Sequence, residues 1–148
     1  MNDIALVLLS GCLSFLAPGS PPTANVSVEI LNVKEMAGSV RIGLFKGEAD
    51  FLKSDKEVVR LATLVENTGS VTTEIPNLPP GEYALAIYHD VNDNQKLDTN
   101  LFGIPTEPYG FSNNARSKWG PPKYEIARFV MDGTDKKLSV ELKKWTKQ

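Results

Sequence analysis

The sequence is poor in the residues from which many enzymes build their active sites, with one cysteine, Cys12, and one histidine, His89, among 148 residues. One cysteine cannot form an internal disulfide or a multi-cysteine zinc site, and one histidine excludes a three-histidine zinc site. His89 adjoins Asp90, but neighbours on a strand point to opposite faces, so the two are poorly placed to act together. These shortages favour a non-catalytic protein.

The chain also lacks an excess of positive charge. Sixteen lysines and arginines oppose eighteen acidic residues, which gives a net charge of −2. Proteins that bind nucleic acid usually carry a basic patch or stripe, so we expect no nucleic-acid partner.

Long apolar runs are scarce, and the one at the N-terminus, residues 4–17, is shorter than the roughly 20 residues that span a membrane. Small residues and prolines follow it up to Ala24, a pattern typical of a secretory signal segment. We therefore predict a signal in residues 1–24 and one domain in residues 25–148, with no transmembrane span after processing. The expected location is the periplasm, the outer-membrane surface or the medium.

The same segment offers a second interpretation. Leu9-Ser10-Gly11-Cys12 matches a bacterial lipoprotein processing box, in which the cysteine becomes the acylated first residue. Cys12 is therefore a candidate lipidation site, and ordinary cleavage near Ala24 is the alternative.

Beyond Asn25 the dominant hydrophobic period is two, which is typical of strands with one buried face. The predicted strands cover about 26–31, 40–44, 58–65, 70–75, 83–89, 126–131 and 137–145. We expect the first two to form one hairpin and the next two a second, the segment 76–81 to be irregular, and 83–89 to be a central strand. About seven short strands predict an all-β, two-sheet antiparallel sandwich of the transthyretin or immunoglobulin type.

A long connection, residues 90–122, separates the fifth and sixth strands. Connections of this length are uncommon in a compact domain unless they are functional or disordered. The loop is therefore the candidate functional region.

Its first part has the spacing of a calcium-binding loop. Oxygen-bearing side chains stand at positions 1, 3, 5 and 9, position 7 offers a backbone carbonyl, and Glu107 can add a carboxylate by folding back. These candidate ligands are Asp90, Asn92, Asn94, Lys96 through its carbonyl, Asp98 and Glu107. Gln95 replaces the usual glycine at position 6, and Leu101 replaces the closing glutamate at position 12. The pattern predicts at most a weak calcium site, and turn formation by the same residues is the alternative.

The second part of the loop joins aromatic residues to amides. Stacking surfaces combined with hydrogen-bonding groups can hold a sugar or a peptide. The candidate ligand-binding residues are Tyr109, Phe111, Asn113 and Trp119. A third possibility is a hydrolase that uses the loop carboxylates, which nothing in their spacing favours.

Three stretches, residues 38–45, 78–94 and 103–114, resemble the bacterial family known as domain of unknown function 2141. The resemblance covers about Val26 to Leu142. It implies an exported bacterial protein without an established activity, whose Leu78–Tyr83 turn is similar to that of transthyretin-like and carboxypeptidase-regulatory-like sandwich domains. We expect a structural or accessory role at the bacterial envelope, with a glycan or protein partner as the alternative.

Overall fold

The computed structural model describes Gly19 and residues 21–145, so Cys12 and nearly all of the predicted signal segment lie outside the described residues. The described part contains eight strands, two short 3-10 helices and one turn of α-helix. In chain order these are β1 (Ala24–Val33), β2 (Ser39–Lys46), a 3-10 helix (Glu48–Asp50), β3 (Val59–Leu64), β4 (Gly69–Leu78), β5 (Gly81–Asp90), β6 (Tyr109–Phe111), a 3-10 helix (Ser112–Asn114), α1 (Tyr124–Ala127), β7 (Phe129–Met131) and β8 (Lys136–Glu141).

The strands form two sheets, which confirms the predicted sandwich. One sheet has the order β4-β1-β8, and the other has the order β3-β2-β5-β6, with β7 pairing with β5 beside β6. One detail differs from the prediction: β1 and β8 run parallel, with Val26 opposite Lys136 and Leu31 opposite Glu141. The first and last strands of the sandwich are thus neighbours, and no short turn could impose an antiparallel direction on them.

Both predicted hairpins are wrong. β1 pairs with β4 and β8, whereas β2 pairs with β3 and β5, so the β1–β2 connection crosses from one sheet to the other. The β3–β4 connection also crosses from one sheet to the other. The hydroxyl oxygens of Thr63 on β3 and Thr73 on β4 lie 3.3 Å apart. The alternating pattern specifies one buried face per strand, and strands on opposing sheets satisfy that requirement as well as hydrogen-bonded neighbours do.

Three boundaries also differ from the prediction. The last strand, β8, ends at Glu141, whereas the predicted strand continued to 145. β4 continues through Pro76 to Leu78 instead of ending at Ile75. β4 is an edge strand that pairs only with β1, and the register of that pairing shifts at Pro76, between Ala24 and Val26 of β1. Proline is tolerated on such an edge or bulge. The segment 126–131 is a strand only from Phe129, because Ile126 belongs to α1.

The main core lies between the sheets. The alternate residues Val26, Val28 and Ile30 of β1 are fully buried there, facing Val40, Ile42 and Leu44 of β2 and the inner side of β5. The prediction that residues 83–89 form a central strand is confirmed, since β5 is paired on both edges.

A second apolar cluster covers the outer face of the five-stranded sheet. It contains the buried residues Ala84, Phe111, Ala115, Tyr124 and Ala127. Phe51, which follows the first 3-10 helix, packs edge-on against Phe45, Phe111 and Tyr124. The long loop and α1 therefore form a cover over this face. Within the described residues, no helix is long and apolar enough to cross a membrane.

Candidate functional site

The long loop begins with an ion pair between β5 and β2. The carboxylate of Asp90, the last residue of β5, is fully buried and accepts a hydrogen bond from Nε of Arg41. A second nitrogen of Arg41 lies 2.8 Å from Oδ1 of Asp93. Arg41 thus holds the first four residues of the loop against the sheet.

The backbone of the turn completes the environment of Asp90. Its two carboxylate oxygens accept the N–H groups of Asn94 at 3.0 Å and Gln95 at 2.8 Å. Burial by itself raises the pKa of Asp90, but the bonds from Arg41, Gln95 and Asn94 outweigh it, so that the pKa lies below the ordinary value of 3.8. Gln95 takes a left-handed conformation with φ of 68°, so the tight turn forms without the usual glycine.

Glu107 closes the first part of the loop from the other end. It is buried, and its Oε1 and Oε2 accept the N–H groups of Val91 at 2.9 Å and Asp98 at 3.0 Å. One carboxylate therefore holds together three points of the chain that are up to sixteen residues apart. The predicted fold-back of Glu107 occurs, and its contacts are with backbone N–H groups.

The structure brings together only part of the predicted calcium-ligand set. The side-chain amides of Asn92 and Asn94 lie 2.7 and 2.9 Å from the two carboxylate oxygens of Asp98. The amide oxygens of Asn92 and Asn94 accept the N–H groups of Asn94 and Lys96. Asp90 instead faces Arg41. Within residues 21–145, no three acidic, histidine or cysteine side chains group closely enough to hold a metal ion.

Beside this turn lies an apolar cleft, hereafter the loop cleft, between the loop and the outer face of the five-stranded sheet. Its floor consists of the cross-strand pairs Tyr88 with Tyr109 and Ala86 with Phe111, on β5 and β6. Its walls are Leu52, Leu97, Thr99, Gly103, Pro105, Gly120, Pro121 and Trp145. The volume is about 370 Å³, within the range of small-ligand and side-chain pockets.

Two features make the loop cleft unusual for a surface hollow. Leu52 lines it with a φ of 60°, a left-handed conformation that is strained for leucine. Burial raises the pKa values of Tyr88 and Tyr109 above their ordinary value of 10.0, so both phenols are neutral hydrogen-bond donors at pH 7. The cleft therefore has an apolar floor that includes two tyrosines with neutral hydroxyl groups.

The four residues predicted to bind a ligand are distributed over different environments. Tyr109 and Phe111 line the loop cleft, and Phe111 is also part of the outer cluster. The amide nitrogen of Asn113 donates to the carbonyls of Ile126 and Arg128, which fixes α1. Trp119 is 91% exposed beyond the cleft wall.

Sequence reasoning missed Arg41, Tyr88 and Trp145. Tyr88 carries a usable signal, because the middle of the outward face of β5, between Glu82 and Asp90, holds only the uncharged residues Ala84, Ala86 and Tyr88. A strand with two apolar faces is covered on both sides. Trp145 lies 55 residues beyond Asp90, the end of β5, and its approach depends on the tertiary fold.

His89 is buried beside the loop, and it does not face the cleft. Its Nε2 lies 2.7 Å from the carbonyl oxygen of Ala37, in the turn that precedes β2. Asp90, on the opposite face, bonds Arg41, so the two residues make separate structural contacts.

Comparison with known proteins identifies the family but no activity. No curated protein matches the chain. Two solved structures, both titled pilus-presented adhesin Spy0125 (Cpa), are similar to it at 15% and 18% identity with TM-scores of 0.35 and 0.27. Each match covers 84% of this chain but only 27% and 28% of the adhesin chains. Residues 28–139 match the family model described as uncharacterized protein conserved in bacteria, and the chain therefore belongs to that family, DUF2141.

Proposed function

We propose that this protein is an exported, non-catalytic binding domain of the bacterial envelope, which holds an apolar peptide segment in the loop cleft. The observation that carries the proposal is the cleft itself, whose floor presents Tyr88, Tyr109 and Phe111 on two hydrogen-bonded strands. Binding sites are typically concave and apolar with a few polar groups that fix orientation.

The lining of the cleft favours a peptide over a sugar. Leucine, proline, alanine and aromatic side chains dominate it, and its polar side-chain groups are the hydroxyls of Thr99 and the two tyrosines and the indole N–H of Trp145. A sugar needs many paired hydrogen bonds, and the amide of Asn113 is already bonded to the backbone. An apolar side chain of a peptide would displace water from these surfaces at little polar cost.

The carboxylates of the loop support a role without catalysis. Asp90 is fully buried against Arg41, and both oxygens of Glu107 accept backbone N–H groups. A glycosidase-type pair needs one carboxyl that protonates the leaving group and another that acts on the sugar or on water. Here the two best-buried carboxylates act as structural acceptors.

Peptide selection tests the proposal directly. A random peptide library is displayed and selected against the protein, and an enriched peptide is titrated against the wild type, Tyr109→Ala and Trp145→Ala. We expect apolar or aromatic sequences and at least about a tenfold loss of affinity in both variants, since buried aromatic anchors carry much of such binding. Trp119→Ala is the matched control, because Trp119 lies outside the cleft.

A glycan array run in parallel supplies the contrary outcome. If the protein binds glycans and Tyr109→Ala abolishes that binding, the ligand of the loop cleft is a sugar and not a peptide. Enriched peptides that bind all the variants equally would show that the loop cleft is not the site.

Weak calcium binding is the second candidate function, and the convergence of Asn92, Asn94 and Asp98 favours it. Rotation of the two amides would turn their oxygens toward an ion beside Asp98, with the Lys96 carbonyl as a further ligand. The ion would replace the present amide-to-carboxylate hydrogen bonds. Because Arg41 already balances the charge of Asp90, the affinity should be low.

Thermal unfolding with and without several millimolar calcium tests this candidate. At ten times the dissociation constant, calcium should stabilise the protein by about 1.4 kcal/mol. Asp98→Asn should remove the increase in Tm and is preferable to Asp90→Ala, which also breaks the Arg41 ion pair. If the midpoint of thermal unfolding is the same in EDTA and in calcium, Asn92, Asn94 and Asp98 only stabilise the turn and do not bind calcium.

A further inference from the structure

The loop holds two large apolar side chains fully in solvent at the tip of a rigid turn. Leu101 is 102% exposed and Phe102 is 86% exposed. Asn100 braces the turn: its carbonyl accepts the N–H of Gly103 at 2.9 Å, and its side-chain oxygen accepts those of Phe102 and Ile104. The backbone therefore presents these side chains outward in a fixed position.

A third exposed apolar residue lies beside the loop cleft. Trp119 is 91% exposed, and the next residue, Gly120, lines the cleft, as does Gly103 at the end of the first turn. The two turns thus flank the same cleft. Together, Leu101, Phe102 and Trp119 form what we term the apolar tips.

The segment that carries the apolar tips, residues 95–123, has basic exposed charges, whereas the exposed acids Asp93 and Glu125 stand just outside it. Between residues 95 and 123 the exposed charged side chains are Lys96, Arg116, Lys118 and Lys123, all basic. The two acids of this stretch are engaged, Asp98 by the amides of Asn92 and Asn94 and Glu107 by backbone N–H groups. The segment 48–57, which contributes Leu52 to the cleft, has four acidic and two basic residues.

We propose that the apolar tips dock the protein on an anionic lipid surface. Leu101 and Phe102 would enter the acyl region, and Trp119 would lie at the headgroup level, which aromatic side chains with a polar atom prefer. The lysines would pair with anionic headgroups. This inference is independent of peptide binding, since it uses side chains outside the cleft lining.

The test uses the full chain carrying Trp145→Phe, which leaves Trp119 as its only tryptophan. Tryptophan emission is recorded while vesicles of phosphatidylglycerol mixed with phosphatidylcholine are added at about 0.15 M salt. Residues 1–20 contain no tryptophan, so that apolar segment adds no emission of its own. We expect a shift to shorter wavelength with the anionic vesicles and little shift with phosphatidylcholine alone.

Two pairs of variants locate the contact. Leu101→Ser with Phe102→Ser should weaken the lipid-dependent shift at least about tenfold in lipid concentration, because two large apolar side chains no longer leave water. Leu64→Ser with Met36→Ser is the control, since these residues are 68% and 67% exposed elsewhere. Lys118→Glu should weaken the lipid-dependent emission shift roughly fivefold or more in lipid concentration, whereas Lys137→Glu on β8 should leave it unchanged.

Three results would overturn the proposal. The Trp119 signal could stay constant with lipid, or shift equally in the Leu101→Ser/Phe102→Ser variant. It could also shift with protein concentration in the absence of vesicles, which would identify a second copy of the chain as the partner of the tips.

Discussion

Arg41 lies on β2, yet both of its ionic partners belong to the end of β5 and the turn that follows. A fully buried carboxylate is costly unless it is paired, and the Nε–H group of the Arg41 guanidinium supplies that pairing for Asp90. The planar guanidinium also reaches Asp93 at the same time, which a lysine ammonium does less well. This residue therefore determines how the loop leaves the sheet.

Replacement of Arg41 by methionine should destabilise the protein by about 3 kcal/mol, because Asp90 stays buried without its cation. Arg41→Lys should lose less stability than the methionine variant. Urea unfolding at pH 7 measures both values. Arg60→Met is the control, since the Arg60 side chain is 63% exposed and exposed ion pairs are worth little. Equal losses at Arg41 and Arg60 would contradict the assigned role of the buried pair.

Glu107 offers a second test at the level of one side chain. In Glu107→Gln one of the two acceptor oxygens becomes an amide nitrogen, so either Val91 or Asp98 loses its partner. We expect a loss of about 1–3 kcal/mol. Amide hydrogen exchange should accelerate first around residues 91–98, ahead of the sheet. Uniform acceleration throughout β5 would mean that Glu107 supports the whole sandwich rather than the loop.

At the scale of elements, the short strand β6 holds the cover in place. β6 pairs with β5 on one side, and Tyr109 exchanges two 3.0 Å backbone hydrogen bonds with Lys143 after β8. Arg116 and Asn114 add bonds to the backbone of Glu141. The long loop is therefore attached to both sheets, which explains how it lies ordered over the outer face. A three-residue strand has too little periodicity to be predicted from sequence.

The turn before β2 makes a further prediction at this scale. Gly38 has a φ of 62°, and a Cβ atom there would overlap the carbonyl oxygen of Asp90 and lie 2.8 Å from that of Val91. Gly38→Ala should therefore cost several times the ~1 kcal/mol that positive φ alone imposes on a non-glycine residue. Gly103→Ala is the matched control, because its φ is 73° with open space around the Cβ position.

Urea unfolding of the two alanine variants gives the comparison. If Gly38→Ala and Gly103→Ala lose the same stability, the close approach of the turn to the end of β5 does not constrain the fold. A larger loss at Gly38 identifies that contact as the constraint.

At the scale of the whole molecule, acid stability should depend on Asp90. Its pKa is lower in the folded protein than the ordinary 3.8, so the folded state binds fewer protons than the unfolded state near that pH. The stabilisation is complete well above 3.8 and is lost as the pH falls through the lower, folded pKa. The free-energy difference between wild type and Asp90→Asn should therefore be largest at neutral pH and shrink in acid.

Urea unfolding at a series of pH values between about 7 and 3 checks this expectation. Asp55→Asn serves as the control, because the Asp55 side chain is 87% exposed. A difference between wild type and Asp90→Asn that stays constant down to the lowest pH would contradict the assigned cause of the shift.

The sequence by itself determined the all-β class, the central strand β5, the long connection after Asp90 and the membership in a bacterial family. Each of these depends on local information: period-two burial, turn residues, spacing along one segment, and motifs that are read within a few residues. The oxygen-rich spacing from Asp90 to Asp98 lies in a tight turn, and its interpretation as a calcium site stays a prediction.

Only the tertiary structure decided which strands pair, that β1 and β8 are parallel, and what the loop residues contact. The reason is physical: an alternating strand buries one face equally well against either sheet, and the partners of Asp90 and Glu107 are set by where distant segments meet. Arg41 contacts Asp90, which is forty-nine residues away in sequence, and Trp145, which follows the last strand, forms part of the cleft wall. Contacts at such separations leave no mark on local sequence pattern.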